Sequence, residues 1–230
     1  MQIKKLDWDS VFFGYPVGRL DLDSNNLLNL KEFVDQSAGF KLIYILSKTA
    51  LKDLPKSCQL VDKKATFKRK TSKTEIPGDV ANLKSYVGSI TNELIGLTLQ
   101  SGVYSRFRTD KNFKNNEYER LYTKWITESV NKNYAFNVLV YEADKTLLGF
   151  VTLGEKNGIA DIGLVAVSEQ ARGKRIGTLL VKYAIHESYT LGYQEIQVVT
   201  QMENVAAIKL YKNTGFTLYD LRFVYHYWNV

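Results

Sequence analysis

At 230 residues, with 45% hydrophobic and 13% aromatic side chains, the chain is long enough for one large or two small domains around a substantial core. A single cysteine, Cys58, excludes an internal disulfide, and His186 and His226 alone form no cluster with metal-ligand spacing, so no metal is expected. The formal charge of +7 favours anionic partners; with no apolar run long enough for a membrane span and no apolar core behind the basic start at Met1–Trp8, the cytoplasm is the expected compartment and a membrane is not an expected partner.

An aromatic opening, Trp8-Asp9-Ser10-Val11-Phe12-Phe13-Gly14, precedes a helix expected around Leu28 to Gln36, a strand over Lys41 to Leu46 and another near Gln59 to Lys70. Here Lys63, Lys64, Lys68, Arg69, Lys70 and Lys73 lie close together, and the run alternates around Ala65 and Phe67 as the solvated face of a strand would. No nucleic-acid-binding motif accompanies them, so nucleic acid is not an expected partner. The polar stretch Thr71 to Asp79, punctuated by Pro77 and Gly78, marks a boundary between a smaller domain, 1–75, and a larger one, 76–230. The segment 58–67 echoes 216–225, with Asp62 matching Asp220 and Phe67 matching Tyr225. The echo fits either a shortened copy of the closing half of the second domain or chance similarity.

The second part opens with helical stretches, Val80 to Ser101, interrupted by glycines, and Glu117 to Val130, in which Tyr118, Leu121, Tyr122, Trp125, Ile126 and Val130 recur at helical spacing as a core-facing stripe. Three strands follow, Phe136 to Glu142, Leu147 to Leu153 and Ile159 to Val167. The short turns between them, Ala143–Thr146 and Glu155–Gly158, specify an antiparallel meander. A helix from Thr178 to Leu191, a strand from Glu195 to Thr200, a shorter helix from Ala206 to Lys212 and an aromatic closing strand, Phe216 to Trp228, complete the order. The fold class is α+β, a mixed and largely antiparallel sheet flanked by helices.

Between the third strand of the meander and the next helix lies Arg172-Gly173-Lys174-Arg175-Ile176-Gly177-Thr178. A glycine-bracketed basic loop that opens into a helix converges backbone N–H groups and the helix dipole on one point, as a diphosphate seat does. The segment lacks the G-x-x-x-x-G-K-[ST] and G-x-G-x-x-G patterns. Read alone, it equally fits a helix start carrying basic residues.

The loop resembles the coenzyme A loop of the GNAT superfamily of N-acetyltransferases, Arg/Gln-x-x-Gly-x-Gly/Ala, with Arg175 where that pattern prefers glycine and its side chain expected to point outward. Downstream, Asn204-Val205-Ala206-Ala207-Ile208-Lys209-Leu210-Tyr211 and then Gly215-Phe216 resemble the second signature of the same family. The resemblance implies a GNAT fold preceded by a smaller, partial GNAT-like domain, with acetyl-CoA as cosubstrate. It also implies that the backbone at Val165, Ala166 and Val167 binds the pantetheine arm, that Arg172 to Thr178 hold the diphosphate, that Asn204 contacts the coenzyme arm or caps a helix, and that Tyr211 protonates the leaving thiolate. Without the resemblance, Tyr211 reads as an ordinary core tyrosine. Glu155, Asp161 and Glu203 are candidate bases, and loss of the amine proton to solvent serves as well.

The acceptor side is expected in Ser105-Arg106-Phe107-Arg108-Thr109-Asp110. In an extended loop, Arg106 and Arg108 leave on one side and Phe107 on the other, a fork suited to phosphate oxygens; the same residues also read as surface arginines paired with Asp110 or Glu117. The Ser-Arg-Phe-Arg run, Tyr122-x-x-Trp125-Ile126 and the aromatic opening resemble GNAT enzymes that acetylate the amine of a nucleotide-linked 4-amino-4,6-dideoxy sugar. A peptide or other small amine, or a coenzyme-binding regulator without turnover, are the alternatives. A homodimer is compatible with the sequence, which does not decide the oligomeric state.

Overall fold

The computed structural model describes residues 2–22, 29–73 and 80–229. In chain order the elements are β1 (Lys4–Lys5), α1 (Asp7–Phe13), β2 (Val17–Leu22), α2 (Leu30–Ser37), β3 (Leu42–Ser47), β4 (Cys58–Lys70), β5 (Leu83–Ser85), α3 (Asn92–Ser101), α4 (Arg106–Thr109), α5 (Glu117–Val130), β6 (Asn137–Ala143), β7 (Thr146–Lys156), β8 (Ile159–Val167), α6 (Ile176–Thr190), β9 (Glu195–Gln201), α7 (Val205–Asn213) and β10 (Thr217–Trp228). The α+β class holds: a mixed sheet with helices against it.

The chain divides into two compact units. The first comprises Met1–Ala65, Gln201–Glu203 and Asp220–Val230, the second Thr66–Thr200 and Asn204–Tyr219. The boundary expected between 75 and 76 lies outside the described residues, but the composition of the first unit departs from that division, because the end of the chain returns to it. Residues 223–228 of β10 pair antiparallel with β3, Phe223 opposite Ser47 and Trp228 opposite Leu42, while β2 runs parallel to β3 on its other edge. Leu20, Leu22, Phe33, Ile43, Ile45, Tyr225 and Tyr227 make this unit's core. Cys58 packs into it, and burial pushes its thiol up to about 12, so it is an inert packing group.

In the second unit β5 to β8 run antiparallel to one another and β9 joins β8 in parallel. The two tight turns of the meander are made as the sequence specifies: Asp144 and Lys145, then Asn157 and Gly158, all hold positive φ, the conformation that matches the twist of two-residue hairpins. Leu94, Leu97 and Ile126 from α3 and α5 pack on Val138, Val140, Phe150 and Ala166 of the sheet. The stretch from Val80 to Ser101 is not continuously helical. Leu83–Ser85 pairs with β6, and Gly88 at φ +122 separates that strand from α3, whose first turn is capped by Thr91 accepting from the Leu94 N–H.

Candidate active site

β8 and β9 pair only from Ala160 to Ile162 against Ile196 to Val198, although β8 continues to Val167 and β9 to Gln201. The divergence has a local cause. Pairing of β7 with β8 passes from Val151↔Val165 to Leu153↔Ile162, so Gly163 and Leu164 together oppose Thr152: a bulge, which bends β8. The Thr152 hydroxyl accepts from the Leu164 N–H at 2.8 Å, and it sits so close to Gly163 that a Cβ there would lie 2.9 Å from it. Beyond the bulge the ladder with β7 resumes. Ser168 N–H donates to the Leu148 carbonyl at 2.9 Å, and antiparallel alternation then turns Ala166 toward β7 and aims the N–H groups of Val165 and Val167 at the side β9 has left. Of the three backbone positions expected to serve a ligand, two present their donors to that opening.

From Val167 the chain turns through Glu169–Ala171 into the basic loop and α6. Here an open cleft of about 480 Å³ is lined by Val167, Arg172, Gly173, Arg175, Ile176, Gly177 and Thr178 on one side. Lys174, within the same loop, is not part of that lining. The two glycines differ. Gly173 is needed for its conformation, φ +81 with open space around it, whereas Gly177 has an ordinary φ and a Cβ there would meet Val167 and Leu210 at 3.4 Å, an ordinary contact.

Arg175 occupies the N-cap of α6 at φ +62, the left-handed region that only glycine enters without cost. That is the physical reason a glycine would be preferred there. Arg175→Gly is therefore expected to stabilise the fold by about 1 kcal/mol, read as a higher Tm. A lower Tm would show that the left-handed arginine carries no strain.

The opposite wall comes from α7, through Lys209 and Leu210. Both lie within the second motif, which assigns them no place in the cleft. Only the orientation of the helix reveals which of its residues face the cleft. Asn204 is the N-cap of α7, its Oδ1 accepting from the Ala207 N–H at 3.1 Å, which leaves its Nδ2 as the group it can offer a ligand. Tyr211 lies on the same helix but not on the cleft lining. Its ring is buried against Phe67 and Phe216, at centroid distances of 6.3 and 5.9 Å, and burial pushes its phenol well above the ordinary tyrosine range. The phenol therefore keeps its proton throughout the neutral and mildly alkaline range. The candidate bases are engaged elsewhere: Glu155 accepts from the Tyr193 hydroxyl at 3.0 Å, Asp161 from the Gln197 amide at 2.9 Å, and Glu203 pairs with Lys63 at 3.4 Å.

The expected arginine fork is not formed. Ser105 accepts from the Phe107 N–H and starts a one-turn helix, α4, and at 100° per residue two positions two apart point about 200° away from each other. The Arg106 guanidinium lies 4.4 Å from the Phe107 ring, and that of Arg108 lies 5.6 Å from Tyr118, on the wall of a hollow of about 180 Å³ shared with Lys114 and Glu117. Tyr118, Tyr122 and Trp125 on α5 form a continuous aromatic face with Phe107. Among the described residues, no group of His, Cys, Asp or Glu is arranged to hold a metal, and no helix is long and apolar enough to cross a membrane.

Residues 101–216 match the profile of the Acetyltransferase (GNAT) family. The chain is 26% identical over 138 residues to the spore coat polysaccharide biosynthesis protein SpsD of Bacillus subtilis, covering 60% of this chain and 47% of that one. It is 34% identical over 98 residues to dTDP-fucosamine acetyltransferase of Escherichia coli, covering 42% and 41%. Each match thus spans less than half the length of the relative concerned. Among solved structures, a tandem GNAT protein from the clavulanic acid biosynthesis pathway superposes with a TM-score of 0.54 at 14% identity, over 93% of this chain and 75% of that one, a likeness of fold.

Proposed function

This chain belongs to the GNAT acetyltransferase family, and from that premise we propose that it transfers the acetyl group of acetyl-CoA directly to a primary amine on a nucleotide-linked deoxyamino sugar. The observation that carries the transfer is the opening between β8 and β9, with the Val165 and Val167 N–H groups facing it and the loop cleft at its end. In this reading the diphosphate sits on the first N–H groups of α6 with Arg172, Gly173, Lys174 and Arg175 around it, and the pantetheine arm extends along β8 as an added strand would. Lys209 joins the coenzyme-binding set from α7.

The neutral amine attacks the thioester carbonyl, forming a C–N bond and a tetrahedral oxyanion that the β8 N–H groups stabilise. Collapse breaks the C–S bond. The thiolate takes a proton from the Tyr211 phenol, which is restored from solvent, and the amine's surplus proton leaves to solvent, since Glu155, Asp161 and Glu203 are each held by another side chain. The sugar nucleotide as acceptor is supported by the likeness to dTDP-fucosamine acetyltransferase and to a polysaccharide biosynthesis protein. Thiol release from acetyl-CoA should be fastest with dTDP-4-amino-4,6-dideoxygalactose in a panel that also holds polyamines and peptides with free N-termini. A preference for either of the latter would replace the sugar reading, and tight acetyl-CoA binding with no turnover on any amine would favour a regulator.

For the acceptor we propose α4 and the aromatic face of α5, with Arg106 and Arg108 acting separately rather than as a fork. Arg108→Ala is expected to raise KM for the sugar nucleotide by roughly tenfold, as loss of one charge-assisted contact does, with KM for acetyl-CoA unchanged. Equal effects on both substrates would remove Arg108 from the acceptor side.

A further inference from the structure

We propose that Arg69, on β4, is a positioning residue that sets the Tyr211 phenol by holding the C-terminal end of α7; the proposal rests on the reading of Tyr211 as the proton donor. The Arg69 guanidinium uses all of its faces. Nη1 donates to the backbone carbonyl of Thr214, the C-cap of α7, Nη2 donates to the Ser72 hydroxyl at 3.0 Å, and Nε donates to the Lys70 carbonyl at 2.9 Å. A cation at this end also complements the helix dipole.

The grip reaches Tyr211 through a short chain of bonds. Its carbonyl accepts from the Thr214 N–H at 3.1 Å, the Thr214 hydroxyl at 3.0 Å and the Phe216 N–H at 3.0 Å, so the segment Arg69 holds is the one that fixes the Tyr211 peptide. Gly215, between these donors, is left-handed at φ +85, and an added Cβ would come 3.0 Å from Arg69 Nη1. Two residues earlier on the same face of β4, the fully buried Phe67 meets the Tyr211 ring. One strand face therefore seats the ring of Tyr211 and the end of its helix. Nothing in the loop or the second motif calls for an arginine at 69, and in the sequence it reads as one more member of the basic run.

The test is a double-mutant cycle using acetyl-CoA and the amine that gives the fastest thiol release, with acetyl-CoA hydrolysis as the readout if no amine is turned over. Arg69→Met, which keeps the length of the stem and removes the donors, is expected to lower kcat roughly tenfold, the scale of a sub-ångström misplacement, with KM for acetyl-CoA held within about twofold. Placed in the Tyr211→Phe background it should cost nothing further. Arg69→Lys, which keeps the charge but not the fork, should fall between the two. An unchanged kcat, or an equal loss with and without the phenol, would overturn the positioning role while leaving Tyr211 as the donor. A silent Tyr211→Phe would overturn both readings. If Arg69→Met does not fold, Arg69→Lys and Ser72→Ala carried through the same cycle decide on the same criterion.

Discussion

Tyr211→Phe is expected to lower kcat by roughly 10²-fold, the lower end of what a general acid contributes, and to leave KM for acetyl-CoA within about twofold. The low end is expected because the group that leaves is a thiolate, which needs only modest help to depart. The ring contacts with Phe67 and Phe216 survive the substitution, so the fold should be little affected. The pH profile sharpens the test. Burial raises the phenol above its ordinary value near 10, so its protonated fraction stays constant as the pH rises from 7 to about 10, and the donor is not lost over that interval. Any rise in rate over that range then reports deprotonation of the acceptor amine. An alkaline decline between about pH 8 and 9 that disappears in Tyr211→Phe would contradict the raised phenol, and a kcat unchanged by the substitution would remove Tyr211 from the chemistry.

Gly149→Val is expected to have the largest effect on stability. Gly149 on β7 pairs with Val167 and lies directly beneath the first turns of α6. A Cβ there would stand 2.9 Å from the Ala166 carbonyl oxygen, 3.1 Å from Leu180 Cδ1 and 3.2 Å from Ile176 Cγ2. The oxygen belongs to the β7–β8 ladder and cannot move without breaking it, and both side chains are buried. Overpacking of this kind costs about 1–3 kcal/mol, which for a chain of 230 residues corresponds to a fall in Tm of about 3–10 °C. Because Val167 and Ile176 line the cleft, KM for acetyl-CoA should rise together with the loss of stability. A melting temperature unchanged by the valine would mean that α6 is not seated on β7 as described.

The contrast between Gly149 and Gly173 shows what the sequence could tell. Gly173 sits in a loop whose local pattern, basic residues between a β-branched run and an amphipathic helix, announces a special backbone conformation. Gly149 sits inside a strand, and its purpose is a contact with residues far along the chain, which no local pattern records. The two hairpin turns and the helix stripe of α5 were legible for the same reason as Gly173: their determinants lie within a few residues. Of the two readings open for Arg106 and Arg108, the fork does not form because Ser105 turns an extended run into a helical turn, its hydroxyl accepting from the Phe107 N–H. The cleft's far wall, Lys209 and Leu210, was hidden because the motif around Tyr211 specifies a helix but not its rotation. The bulge at Gly163 that opens β8 had a sequence cue in the glycine alone; its partner, the Thr152 hydroxyl, is found only once the strands are paired.

The pairing of β3 with β10 bears on how the molecule is made. Residues 42–47 wait for residues 223–228, so the first part of the chain leaves the ribosome long before the strand that completes its sheet. A contact of such sequence separation is slow to close and leaves one edge of β3 exposed in the meantime. The second unit, built mostly from neighbouring strands and short turns, can form without waiting for that strand. Synthesis that stalls before residue 223 should therefore yield a chain whose leading segment is prone to aggregation, even though every residue of that segment is present.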